Sequence, residues 1–64
     1  MRQKYTFTTE EREQISFSNE ITEKAVVGYF LFKNGFQLGD DWDKGWILDY
    51  DNWTVEFEGD NNNG

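Results

Sequence analysis

The sequence predicts a small all-β domain, an antiparallel meander or partly open barrel of five to six short strands. Several stretches alternate apolar and polar residues with the period of two that half-buried strands require, and 12 of the 64 residues are the ring-bearing Phe, Trp or Tyr that strands favour. Gly, Asn and Asp between these stretches supply turn residues, while proline is absent. We therefore expect hairpins throughout a single domain over residues 1–58, followed by a flexible acidic and polar tail over residues 59–64.

The first two predicted strands flank a polar loop at residues 9–13. Tyr5 and Phe7 alternate with Lys and Thr, which is typical of a strand with one buried face. Ile15, Phe17 and Ile21 alternate with polar residues in the same way and predict the second strand.

Residues 19–39 allow two interpretations, of which we favour a hairpin. The segment 26–32 has the β-branched and aromatic content of a strand, and Asn34-Gly35 is a strong hairpin-turn signal. Phe30 and Phe32 would then close the second side of a small barrel, or form an exposed apolar patch.

The alternative is an α+β fold of order ββαββ with a helix near residues 20–33. Its supporting residues are Asn19 as N-cap, Glu20 and Glu23 in the first turn, Lys33 in the last, and Gly35 as a left-handed C′ residue with Phe36 packing back on Leu31. One helix face would then carry Ile21, Ala25, Tyr29 and Phe32. Two observations oppose the helix: Gly28 would lie in its middle, and three apolar side chains would point away from that face, namely Val27, Phe30 and Leu31. In length and element order this alternative resembles the small immunoglobulin-binding domains of bacterial surface proteins, with no shared motif that implies their function.

A hairpin over residues 46–57 is the clearest local signal. With Asp51-Asn52 as a two-residue loop, Tyr50 faces Trp53, Leu48 faces Val55 and Trp46 faces Phe57. All six side chains then fall on one face, because side chains alternate along a strand. The opposite face receives Ile47, Asp49, Thr54, Glu56 and Glu58.

The negative charge is concentrated in the last third of the chain. Residues 1–39 carry five acids and five bases, whereas residues 40–60 carry eight acids against Lys44 alone, so this segment accounts for the net charge of −7. Such a field repels nucleic acid and anionic membranes and attracts basic surfaces. A purely solubilising role for the charge is the simplest alternative.

Catalytic and metal-binding chemistry are not predicted. The chain has no Cys nucleophile, and it has no His to activate Ser16 or Ser18. The segment 40–51 resembles a calcium loop only loosely, because Trp42 and Lys44 occupy ligand positions that they cannot serve. We predict no enzyme activity, no cofactor and no metal.

The sequence therefore predicts an acidic interaction module or inhibitor that occludes a basic, nucleic-acid-binding surface of a partner protein by charge mimicry. In size and charge it resembles small acidic phage-encoded inhibitors. We expect neither direct nucleic-acid nor membrane binding, and a cytoplasmic location, because no long apolar run occurs. The predicted partner-binding residues are Asp40, Asp41, Trp42, Asp43, Asp49, Asp51, Glu56 and Glu58.

Two other functions remain open. Trp42 with its flanking aspartates could form a stacking platform of a carbohydrate-binding module. Phe30 and Phe32 could form the seam of a homodimer in a structural or oligomerisation domain.

Overall fold

A computed structural model describes residues 2–59 and shows an α+β fold with a three-stranded antiparallel sheet. The elements are β1 (Arg2–Thr6), α1 (Thr9–Phe17), α2 (Glu23–Lys33), β2 (Ile47–Asp49) and β3 (Thr54–Glu58), and the sheet order is β1-β3-β2. The all-β prediction is therefore wrong. The α+β alternative has the right class, but its order ββαββ is wrong because the second element is a helix. Gly59 is buried, and residues 60–64 of the predicted tail lie outside the described residues.

Residues 9–17, predicted as a polar loop running into a strand, form α1 instead. Thr8 and Glu11 make a capping box: the Glu11 amide donates to the Thr8 hydroxyl at 3.2 Å, and the Thr8 amide donates to the Glu11 carboxylate at 2.9 Å. These bonds satisfy two amide groups that a helix start leaves open. Ile15 is buried whereas Phe17 is exposed, so the alternation that suggested a strand does not mark one buried face.

The C-terminal end of α2 confirms the alternative interpretation, but its start does not. The helix begins at Glu23, with Thr22 as N-cap and no side-chain capping bond, so Asn19 as N-cap and Glu20 in the first turn are wrong. The Asn19 carboxamide oxygen accepts from the amides of Ile21 and Thr22 at 2.9 and 3.0 Å, in a turn that leads directly into the helix. At the other end Gly35 has φ +95°, and the Phe36 amide donates to the Leu31 carbonyl at 3.0 Å. This is a Schellman motif, so Asn34-Gly35 ends a helix and does not turn a hairpin.

The face of α2 that packs inward differs from the predicted one. Val27 and Leu31 are completely buried, and Phe30 packs against the same core. Tyr29 and Phe32 lie on the opposite, exposed side. The barrel-closing role of Phe30 and Phe32 is therefore wrong, because both belong to a helix and point in different directions.

The β2–β3 hairpin confirms the predicted register. Leu48 pairs with Val55, and the pairs Ile47–Glu56 and Asp49–Thr54 follow the same alignment. The strands are shorter than predicted, since residues 50–53 form the turn, with Trp53 at φ 55°.

Strand β1 completes the sheet by pairing with β3, as in Tyr5 opposite Val55. Between the sheet and the helices lies one core of fully buried side chains, namely Phe7, Ile15, Val27, Leu31, Val55 and Phe57. Phe36 closes it through edge-to-face contacts with Tyr5 and Phe57, at ring separations of 5.7 and 5.3 Å. In the part of the chain that the structure describes, neither helix has the length and apolar character needed to cross a bilayer.

Candidate functional site

The sheet order places the predicted acidic residues along one edge. Strand β2 is an edge strand, and it is flanked by the loop 39–46 and the turn 50–53. The segment 40–51 contains five aspartates and a single base, Lys44. We call this set the acidic edge, and it consists of Asp40, Asp41, Asp43, Asp49 and Asp51.

Glu56 and Glu58 do not belong to the acidic edge. They lie on the central strand β3. Val55 and Phe57 of this strand point toward the core, so Glu56 and Glu58 lie on its opposite face. Lys4 is the cross-strand neighbour of Glu56, and the Arg2 guanidinium lies 3.8 Å from the Glu58 carboxylate. Opposite charges that face each other on neighbouring strands attract. The two bases of β1 therefore balance much of the negative charge of the two glutamates of β3. The eight predicted site residues therefore do not form one continuous acidic line.

Asp43 holds the loop to helix α2. Its carboxylate lies 3.0 Å from the Lys24 ammonium group, and this bond lowers the pKa of Asp43 below its ordinary value. The Trp46 amide donates to the Asp43 carbonyl at 3.2 Å, so the backbone of the same residue also shapes the loop. Asp43 is thus committed to an internal ion pair.

Asp49 shapes the turn at the other end of β2. One carboxylate oxygen accepts from the amides of Asp51 and Asn52 at 2.8 and 3.1 Å, and the other accepts from the Asn52 side chain at 3.0 Å. The bonds from Asn52, followed by the bond from Asp51, lower the pKa of Asp49. This pattern is a side-chain mimic of a backbone turn, so Asp49 also has a structural role.

Tyr50, next in the chain, ties this turn to α2. Its hydroxyl donates to the Glu23 carboxylate, and burial together with this bond raises the pKa of Tyr50 to about 12. Both ends of β2 are therefore joined to the start of α2, one through Asp43 and Lys24 and the other through Tyr50.

Three aspartates of the acidic edge remain available to a partner. Asp40, Asp41 and Asp51 are exposed, and within residues 2–59 the structure gives them no ion pair. Asp40 and Asp41 border a shallow depression of about 360 Å³, together with Trp42, Lys44 and the end of β3.

Trp42 packs inside the fold and does not stand out as an anchor. Its ring lies edge-to-face against Trp46 at 5.3 Å and Phe57 at 6.4 Å. A Cβ at Gly28 would lie 3.2 Å from the same ring, so the glycine in mid-helix allows α2 to approach Trp42 closely. The Trp42 carbonyl also accepts from the Glu58 amide at 3.2 Å. Trp42 therefore fixes the loop that carries Asp40 and Asp41.

A groove of about 670 Å³ between α1 and α2 was not predicted. Ala25, Val26, Tyr29 and Phe30 form its apolar part, and its polar rim includes Glu10, Glu11, Gln14 and Lys33. The sequence carried one signal for it, the capping-box spacing of Thr8 and Glu11, which identifies the first helix.

Glu11 joins three elements beside this groove. It accepts from the Tyr5 hydroxyl at 2.8 Å, from the Thr8 amide, and from the Asn34 side chain at 3.4 Å. Burial raises the pKa of Glu11, but the hydrogen bonds outweigh it and leave the pKa below its ordinary value of 4.5. Burial and the Glu11 carboxylate in turn raise the pKa of Tyr5 to about 12. The charged form of Glu11 therefore stabilises the junction of β1, α1 and α2.

Among residues 2–59, no group of three or more acidic residues is arranged to hold a metal ion. Comparison with known proteins finds no matching family model, no similar curated protein and no similar solved structure. The function of the protein is therefore inferred from the geometry and charge of the acidic edge and of the helices.

Proposed function

We propose that the protein is a non-enzymatic interaction module that binds a basic protein surface through the acidic edge. The observation that carries the proposal is the position of the net charge: five aspartates lie on or beside one edge strand, while the glutamates of β3 face bases on β1. Asp40, Asp41 and Asp51 are the exposed contact residues.

The contacts that fix the two loops beside β2 support this proposal. Asp43 and Asp49 of the acidic edge, together with the packed Trp42, hold these loops in place, so the exposed carboxylates are positioned before a partner arrives. A preorganised surface loses less conformational freedom on binding. The two groups of charge lie on either side of β2, a strand of three residues that is itself roughly 10 Å long at about 3.3 Å per residue.

The partner in this proposal is a protein with a basic surface, such as a nucleic-acid-binding enzyme. The charge would speed capture and orient the complex, while the body of the domain would cover the phosphate-binding surface of the enzyme. The protein would then act as an inhibitor that competes with nucleic acid. A cytoplasmic location stays a prediction of the sequence.

A competition assay tests the proposal. Purified nucleic-acid-binding enzymes, each holding a fluorescent DNA duplex, are titrated with the protein at several salt concentrations. We expect displacement of DNA from at least one enzyme, with an affinity that falls as salt rises, because exposed charges are screened over about 10 Å at ~0.1 M salt.

A pair of matched variants assigns the effect to the acidic edge. Asp40→Asn/Asp41→Asn removes two charges from the edge, and Glu10→Gln/Glu13→Gln removes two from exposed positions of α1. We expect a loss of several-fold or more in affinity for the first variant and little change for the second. Equal effects of the two variants, or an affinity that is indifferent to salt, would contradict the proposal.

No observation favours the carbohydrate-binding alternative. A stacking platform needs an open ring face, whereas Trp42 packs against Trp46, Phe57 and the backbone of α2.

A further inference from the structure

Helix α2 carries a second apolar surface that the fold does not use. Val27 and Leu31 are fully buried on the side facing the core. On the opposite side, Ala25, Tyr29 and Phe32 follow one another at spacings of four and three residues, which places them along one stripe of the helix. The exposed Ile21 lies in the turn just before α2 and adds to this surface. We call this set the outer stripe.

The outer stripe is strongly exposed. The exposed fractions are 88% for Ile21, 72% for Phe32 and 58% for Tyr29, and Ala25 is exposed as well. A helix that is apolar on all sides is normally covered on all sides. Phe17, at the end of α1, is also 88% exposed and adds to the apolar surface of the helical layer.

We propose that the outer stripe binds the outer stripe of a second copy, with the two α2 helices antiparallel. A twofold pairing of this kind brings the same patch of each copy against itself. At ~150–250 Å² for each large aromatic side chain and with the exposed fractions above, Tyr29 and Phe32 together offer roughly 250 Å². Ile21 and Ala25 bring the stripe to at most roughly 500 Å² per copy. Two copies would bury about 1,000 Å², the lower limit for a specific interface, and the dimer should therefore dissociate on dilution.

Charge complementarity favours the antiparallel orientation. Lys33 lies at the end of α2, and the exposed Glu20 lies just before its start. An antiparallel pair brings Lys33 of each copy toward Glu20 of the other, whereas a parallel pair would bring like charges together. The helix dipoles also favour opposite ends meeting.

This dimer does not depend on the acidic edge, and salt separates the two proposals. Two copies with a net charge of −7 each repel each other. Salt screens both this repulsion and the two exposed Lys33–Glu20 pairs, but exposed pairs contribute only weakly to stability, so salt should strengthen the dimer on balance. Binding of a basic partner should weaken under the same change. One proposal can therefore fail while the other holds.

Sedimentation equilibrium over a wide concentration range tests the dimer. We expect a reversible monomer–dimer equilibrium for the unaltered chain. Ala25→Glu, which places a charge in the middle of the outer stripe, should weaken the dimer at least tenfold. Ser16→Glu adds the same charge at an exposed position of α1 and should leave the dimer unchanged. Circular dichroism and thermal melting confirm that each variant is folded.

A charge exchange tests the orientation. Lys33→Glu alone should weaken the dimer several-fold, and Glu20→Lys/Lys33→Glu, which restores the original net charge, should return it to within about twofold. If the double variant does not recover its dimer affinity, the antiparallel arrangement is wrong. A monomer at all concentrations would overturn the dimer itself, even if that monomer bound phosphatidylcholine vesicles through the stripe.

Discussion

Replacing Trp42 by alanine should bring the domain close to its unfolding threshold. The Trp42 ring joins the loop 39–46 to Gly28 of α2, to Trp46 and to Phe57. Most of a Trp side chain of ~150–250 Å² is covered there, so the change to alanine loses roughly 100 Å² of apolar surface that the folded protein removes from water. At about 25 cal/mol per Å² this corresponds to about 2.5 kcal/mol, and the cavity left behind raises the loss to about 3 kcal/mol.

The loss is large because the protein is small. A core of this size supplies about 3–5 kcal/mol of stability in total. Urea unfolding, followed by far-ultraviolet circular dichroism, measures the free energy of unfolding of Trp42→Ala against the unaltered chain. A difference below about 0.5 kcal/mol, the range of ordinary surface substitutions, would show that the ring contributes little to packing and is free to serve a partner.

Gly28 provides a matched perturbation of the same contact. Gly28→Leu keeps Trp42 but forces a side chain into the space that its ring fills, since a Cβ alone would lie 3.2 Å from the ring. We expect a clear drop in the urea midpoint for Gly28→Leu. Gly28→Ala should change it little, because a gain of about 1 kcal/mol in helix propensity offsets a close but tolerable contact.

Three further predictions concern the cap of α1 at Thr8, the lowered pKa of Glu11 and the turn that Asp49 shapes. Thr8→Ala removes the capping hydroxyl of α1 and should lower the free energy of unfolding by about 1 kcal/mol in the same urea experiment. Because the pKa of Glu11 lies below 4.5 in the folded protein, its stabilising effect is fully present above about pH 4.5 and is lost as the pH falls through the lowered pKa; Glu11→Gln should flatten that part of the stability curve. Asp49→Ala removes the acceptor for three donors in the turn 50–53, and should lower the melting temperature and the hydrogen-exchange protection of β2, whereas unchanged protection would contradict the role given to Asp49.

The hairpin was predictable because its register leaves little choice. A shift by one residue would flip one strand relative to the other. Either Leu48 or Val55 would then turn outward and Asp49 or Glu56 inward, so a single alignment satisfies both strands. The structure has this alignment. The correct register depends only on the apolar and polar pattern within the hairpin. It can therefore be predicted from the twelve consecutive residues 46–57.

The conformation of residues 19–39 was harder to predict because the same signal serves two structures. Asn34-Gly35 supplies the positive φ that a tight hairpin turn needs, but a helix C-terminus needs the same backbone at C′. The deciding residues lie elsewhere, in the turn that Asn19 closes just before α2 and in the contact between Gly28 and Trp42. The second of these depends on tertiary packing, which local propensity does not contain.

The acidic site was predictable in composition and not in geometry. The excess of Asp in residues 40–51 is visible in the sequence, but the balance between β1 and the glutamates of β3 depends on a pairing between chain ends. Likewise, the internal ion pair of Asp43 requires Lys24, which lies on a helix that was not the favoured interpretation.

The outer stripe and the acidic edge would give a dimer a function that one copy lacks. The stripe lies on the face of α2 opposite the buried Val27 and Leu31, whereas Asp40, Asp41 and Asp51 lie on the loops of the edge strand β2, so we expect pairing through the stripe to leave these carboxylates open in both copies. A dimer would then present two acidic edges to a partner with repeated basic sites, and linked sites bind far more tightly than single ones when both can engage. Because salt strengthens the pairing and weakens the charge contact, the avidity should pass through a maximum as salt increases, which a monomeric module cannot produce.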